Sequence, residues 1–238
     1  MKHLPLVAAI LLWPGCPLQA TQSTPPVDSI EQRARPCMAC HGKEGRATSD
    51  GYFPRIAGKP AGYLFNQLVN FREGKRHFPM MAYLVDRQDD AYLRELANYF
   101  ASQKLPYAAP VPPRVTQDVL DRGKQLVFEG DASRDIPACR DCHGTRLLGV
   151  APAVPGLLGL SQDYLLAQLG AWQHRSRRAH EPDCMAQIVR ELGPGDINAV
   201  SAWLATQTVP QDAHPDDAAA IIPPRECGSI SPAAAQMP

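Results

Sequence analysis

The chain lacks a membrane span. A spanning helix needs roughly 20 apolar residues in a row, and the opening run Leu4 to Trp13 is too short, with no later stretch that reaches that length. It also lacks any basic run interleaved with aromatics, the footprint of a nucleic-acid binder. No segment alternates apolar and polar residues long enough to read as a strand, so a βαβ setting is excluded. Net charge is missing as well, 24 Lys+Arg against 24 Asp+Glu. Free cysteine is scarce: of seven, Cys16 lies in the opening segment and four fall into two copies of one pentapeptide.

The opening segment reads as an export signal over residues 1–20. Lys2 and His3 precede the apolar run, Pro14 and Gly15 break it, and Ala20 offers a small residue for cleavage, giving a mature start near Thr21. Cys16 offers a lipoprotein alternative, but Trp13-Pro14-Gly15 before it is a poor match to a lipid-attachment motif. The expected location is therefore the periplasm, soluble after cleavage, where thiols oxidise.

The repeated pentapeptide is Cys37-Met38-Ala39-Cys40-His41 and Cys139-Arg140-Asp141-Cys142-His143. Two thiols at this spacing add across the vinyl groups of one haem, and the histidine that follows is held against the iron. A structural zinc would need four converging ligands, and a redox dithiol would need the absent βαβ context. The motifs predict two covalently bound haem c groups, on Cys37 and Cys40 and on Cys139 and Cys142, with His41 and His143 as axial ligands.

Superposing the halves at an offset near 102 residues reveals a tandem duplication. Phe53-Pro54-Arg55-Ile56-Ala57-Gly58 falls on Val154-Pro155-Gly156-Leu157-Leu158-Gly159, and Tyr63-Leu64 and Gln67-Leu68 on Tyr164-Leu165 and Gln168-Leu169. Apolar spacing over Tyr63, Leu64, Leu68 and Phe71, and over Leu93, Leu96, Ala97 and Phe100, predicts helices. Asp89 and Asp90 suit the start of the second, and Asp163 and Asp196 precede the corresponding helices of the other half. The expected organisation is all-α: domain 1 over 21–105, a proline-rich linker over 106–113, domain 2 over 114–209, and a loosely ordered Pro/Ala-rich tail over 210–238. Residues 21–110 carry 12 Lys+Arg against 9 Asp+Glu, and residues 111–238 carry 11 against 15, an asymmetry able to orient the molecule on a charged partner.

A second axial ligand decides whether each iron binds small molecules or only passes electrons. Met81 and Met185 occupy equivalent repeat positions, 40 and 42 residues beyond their histidines, and methionine raises the potential of a haem. Met80 is the competing neighbour, but its repeat equivalent is Cys184, so only the Met81/Met185 register is shared. His77, His174 and His180 have no partner in the opposite half.

In order, the haem motif, Pro-x-x-x-Gly, Tyr-Leu-x-x-Gln-Leu, a loop with Gly and Arg, methionine and a helix ending Tyr-Phe resemble class I cytochrome c. The tandem arrangement is similar to the diheme cytochrome c4 family from about residue 30 to 207, especially over 71–76 and 97–102. The resemblance implies axial pairs His41/Met81 and His143/Met185, with backbone carbonyls near Pro54 and Pro155 holding the histidine rings. It also implies a non-enzymatic carrier of single electrons from a quinol-oxidising complex towards a terminal oxidase, through transient contacts with membrane respiratory complexes or another periplasmic redox protein. Two relatives of other kinds compete: the cytochrome subunit of a periplasmic dehydrogenase, and a diheme cytochrome c peroxidase, against which the matched methionines argue. The second loop, Gln173 to Arg178, departs from the family pattern by lacking the glycine of the first. Cys184 and Cys227 stand outside both haem motifs, and in an oxidising compartment the pair is able to bridge, pinning the tail to the ligand loop.

Overall fold

In the computed structural model, residues 28–112, 114–217 and 222–230 are described. The expected signal segment with Cys16, the cleavage point near Thr21 and linker residue Pro113 lie outside them. The first half contains α1 (Ile30–His41), α2 (Ala61–Arg72), α3 (Pro79–Val85) and α4 (Asp90–Ser102). The second contains α5 (Gln117–Phe128), α6 (Arg140–His143), α7 (Gln162–Gln173), α8 (Cys184–Glu191) and α9 (Pro194–Ala205). A two-residue hairpin, β1 (Gly149–Val150) against β2 (Val154–Pro155), is antiparallel with Val150 opposite Val154.

Short polar side chains start the helices by taking an otherwise unpaired first-turn N–H. Ser29 accepts from Gln32 N at 3.4 Å and Asp89 from Tyr92 N at 2.8 Å. In α7 the cap is Ser161, which accepts from Tyr164 N at 3.2 Å, two residues before the Asp163 that the sequence pattern suggested. Each half builds its own core, and the two cores share no residue. Leu93, Leu96, Ala97 and Phe100 of α4 pack on Leu64, Phe65 and Val69 of α2. Ile197, Val200 and Leu204 of α9 pack on Leu126 and Val127 of α5 and Leu165 of α7.

The second loop keeps the course of the first despite its missing glycine. Arg175 takes the left-handed conformation of Gly74 (φ 56° against 69°). Arg76 N then donates to Asn70 O at 2.9 Å, and Arg177 N to Ala171 O at 3.0 Å. The two loops meet as a short antiparallel bridge between the halves, with His77 N donating to Ser176 O at 2.8 Å and Arg178 N to Lys75 O at 2.7 Å.

The linker begins fastened to the first half. The Arg55 guanidinium donates to Leu105 O at 2.6 Å and Pro106 O at 3.1 Å and lies 3.9 Å over the Tyr107 ring. The tail differs from its expected looseness wherever it is described. Asp216 N donates to Gly149 O at 2.8 Å and Ala151 N to Asp216 O at 2.7 Å, while Arg146 pairs with the Asp216 carboxylate at 2.9 Å. Further on, Cys227 is disulfide-bonded to Cys184. Composition alone made this segment look loose, because its order comes from long-range backbone bonds.

Gly123 sits where α5 crosses α9, and a Cβ there would stand 2.2 Å from Ala199 O. Backbone cannot retreat as a flexible side chain can, so Gly123→Ala is expected to push the helices apart and destabilise the holoprotein by roughly 1–3 kcal/mol. Thermal and denaturant unfolding of the two proteins measure it.

Candidate functional site

Both pentapeptides end helices. Cys37, Cys40 and His41 occupy the last turn of α1, and Cys139 to His143 form and precede α6, with His143 N donating to Cys139 O at 2.9 Å. Each imidazole is buried and bonded through Nδ1 to a carbonyl: His41 to Pro54 O at 2.9 Å, His143 to Pro155 O at 2.8 Å. A carbonyl only accepts, so Nδ1 carries the hydrogen and Nε2 keeps its lone pair. Burial lowers the pKa of both rings, against the proline carbonyls, which raise it. A neutral ring with Nε2 free and its plane fixed is the form in which histidine binds a metal.

None of Cys37, Cys40, Cys139 and Cys142 is paired in a disulfide. Burial raises the pKa of Cys37 and Cys142 and pushes Cys139 up to about 12. A redox dithiol needs the opposite, a depressed thiol pKa. Among the described residues no three His, Cys, Asp or Glu side chains converge as a zinc site would require.

One continuous cavity of about 850 Å³ reaches both motifs. His41 and Met81 line it from the first half, His143 and Met185 from the second. Met81 packs against the first core as Met185 does against the second. Met80 reaches the cavity too but is 55% exposed. Of the other histidines considered, His77 lines the cavity and His174 and His180 do not.

The cavity wall between the halves carries a cluster that sequence reading passed over. Arg76 donates to Gln67 Oε1 at 2.9 Å and, across the interface, to Gln168 Oε1 at 2.6 Å and Tyr164 OH at 3.0 Å. Arg177 mirrors it, to Gln168 Oε1 at 2.9 Å, Gln67 Oε1 at 3.1 Å and Tyr63 OH at 3.5 Å. The signal was present: Tyr63/Tyr164, Gln67/Gln168 and Arg76/Arg177 are all 101 residues apart. They were legible as a repeat but not as one network, since only folding turns the two faces towards each other. Burial, and then the neighbouring charge of Arg76, lowers the Arg177 pKa. Among the described residues no carboxylate joins this cluster. Trp172 Nε1, also on the cavity wall, is buried without an acceptor.

These features fit haem. Two imidazoles are ready for iron, thiols stand beside them at the vinyl-bridging spacing, the walls are apolar, and guanidiniums await the carboxylates that a porphyrin carries. Lys59 adds a further cation at the same interface, donating to Gly156 O at 3.0 Å while only 5% exposed.

Burial pushes the Lys59 pKa down from 10.5 to about 8. Between those values the unfolded chain holds the proton that the folded chain has released, so stability rises with pH across the window and the burden of the buried charge is complete below it. Lys59→Met is expected to remove that rise. Denaturant unfolding of both proteins from pH 7 to about 10.5 tests the sign.

No protein-family model matches the chain. It is 34% identical over 174 residues to the thiosulfate dehydrogenase electron acceptor of Thiomonas intermedia, covering 73% of this chain and 79% of that one. It is 32% identical over 176 residues to cytochrome c4 of Pseudomonas aeruginosa, covering 73% and 85%. Among solved structures, reduced recombinant cytochrome c4 from Pseudomonas stutzeri matches with a TM-score of 0.64 at 26% identity, over 75% of this chain and 97% of that one. A thiosulfate dehydrogenase from Marichromatium purpuratum matches with a TM-score of 0.65 at 30% identity, over 72% of this chain but 36% of that one.

Proposed function

The chain belongs to the diheme cytochrome c4 family, a carrier of electrons on two covalent haems, and from that premise we propose that it is the periplasmic electron acceptor of a thiosulfate-oxidising dehydrogenase. The observation that carries this reading is the similarity to an acceptor of that name along 73% of the chain, joined by the similarity to a thiosulfate dehydrogenase structure. Cys37 and Cys40, and Cys139 and Cys142, would hold the two haems through thioethers. His41 with Met81, and His143 with Met185, would hold the iron of each. Bound haem supplies a one-electron iron couple, and methionine sulfur sets it higher than a second nitrogen would.

The chain's own part is to keep both sites closed and rigid. Pro54 and Pro155 hold each ring through Nδ1, which fixes Nε2 in the cavity. Arg76 and Arg177 offset cofactor carboxylates where the halves meet. Both sites open on one cavity, so an electron taken up in one half would be shared with the other. For a one-electron couple, every 59 mV between the haems is a tenfold preference in where it rests.

The second reading, delivery from a quinol-oxidising complex towards a terminal oxidase, draws on the relatives named simply cytochrome c4. Mixing the oxidised protein with thiosulfate dehydrogenase and thiosulfate, or with a quinol-oxidising complex and quinol, separates them. Faster growth of the reduced haem band with the dehydrogenase is expected. Reduction by the quinol complex alone would transfer the function to the respiratory chain.

For the ligands, Met81→Ala and Met185→Ala are each expected to open one of the two haems to carbon monoxide and lower that haem's potential, with Met80→Ala leaving both closed. Carbon monoxide difference spectra and a redox titration check this.

A further inference from the structure

The second half has a fastening with no counterpart among the described residues of the first. Residues 222–230 run along the backbone that leads into α8. Gly228 N donates to Pro182 O at 2.9 Å, and a Cβ on Gly228 would lie 2.2 Å from Glu181 O, so the two backbones touch where no larger residue fits. Upstream, Arg225 donates to Asp135 O at 2.6 Å; downstream, Asn66 Nδ2 of α2 donates to Ser229 O at 3.3 Å. The segment is thus anchored to both halves, and Pro223, Cys227, Ser229 and Ile230 form part of the cavity wall.

Its covalent attachment falls at a particular place. Cys227 is bonded to Cys184, the first residue of α8 and the immediate neighbour of Met185. A helix of eight residues has little stability of its own, so the position of Met185 depends on what holds the start of α8. Two devices do so. Asp183 is buried and accepts from Ala179 N at 2.7 Å and Ala186 N at 3.0 Å. The disulfide then ties the next residue to a segment 43 positions away, a long loop whose closure restricts the freed chain most. In the first half the position equivalent to Cys184 is Met80, which is 55% exposed.

We propose that Cys184 and Cys227 are positioning residues for Met185: their bond straps α8 to the cavity wall and keeps the second haem six-coordinate, and reduction of the bond by a dithiol opens that haem alone to small ligands. This rests on the assignment of Met185 as an axial ligand. In the opening step the dithiol gives two electrons and two protons to the S–S bond, yielding the thiols of Cys184 and Cys227, and itself becomes a disulfide.

The test uses the holoprotein, its Cys227→Ser variant and Met185→Ala, with ascorbate as the haem reductant so that the disulfide is untouched. The readouts are the methionine–iron charge-transfer absorption of the oxidised protein, carbon monoxide binding per chain, and the two midpoint potentials. Cys227→Ser is expected to lose up to half of the methionine–iron absorption, bind carbon monoxide at one haem per chain and show one lowered potential with the other unchanged. Wild type treated with dithiothreitol is expected to match it, which covers a variant that fails to assemble. Full absorption and no carbon monoxide binding in Cys227→Ser and in dithiothreitol-treated wild type, with one haem opened by Met185→Ala, would overturn the strap and leave the ligand assignment standing. No effect of Met185→Ala would overturn both.

Discussion

The hydrogen bond from each histidine Nδ1 to a proline carbonyl is the contact around which each half is arranged, because it settles at once the tautomer, the ring plane and the side from which a metal is met. It requires the chain to return to the end of the helix that carries the histidine about a dozen residues after leaving it. In the first half that return is secured by Ile56 N and Ala57 N, both donating to Gly45 O, at 2.9 and 3.0 Å. In the second, Leu157 N donates to Leu147 O at 2.8 Å beside the small hairpin. The long helices then wall the cavity, and the short helices α3 and α8 bring the methionines to its wall.

Duplication repeats this plan, and the interface shows how two copies were joined. The halves carry opposite net charge, yet among the described residues no ion pair between a carboxylate and a guanidinium joins them. Arg76 and Arg177 instead share neutral glutamine and tyrosine acceptors from both copies, each stacked on an aromatic ring of its own half, Phe71 and Trp172. Two like charges brought together away from water oppose association unless anions join them. The arrangement suits a protein completed by its cofactors, whose carboxylates would supply the missing charge. Domains of about 100 residues are marginal on side-chain packing alone, and a shared cavity filled by porphyrin gives them both a core and a common boundary.

The copies have diverged where the methionines are presented. Arg175 stands where the first copy has left-handed Gly74 without changing the loop's course, because hydrogen bonds on either side hold it. Where the first copy has Met80 the second has Cys184, with a covalent partner in the tail. One copy presents its methionine beside an exposed apolar surface with Met80 and Tyr83, the other beneath a strap. With both methionines as the proposed ligands, such unlike surroundings would be a physical basis for unequal potentials.

Cofactor, helical class and the duplication were legible in the chain itself, since each depends on local spacing: Cys-x-x-Cys-His on side-chain reach, the helix faces on the 3.6-residue turn, the repeat on one offset. The apolar positions of α4 are an instance, for Leu93, Leu96, Ala97 and Phe100 are all buried. Spacing carries no information about which distant segments touch. That the two sites open on one cavity, that Arg76 and Arg177 face one another, that Lys59 is buried against Gly156 and that the described parts of the proline-rich tail are fastened to the rest were decided only by tertiary structure. Each of these depends on backbone groups and side chains some 50 to 160 residues apart, brought together by burial and hydrogen bonding that no local pattern encodes.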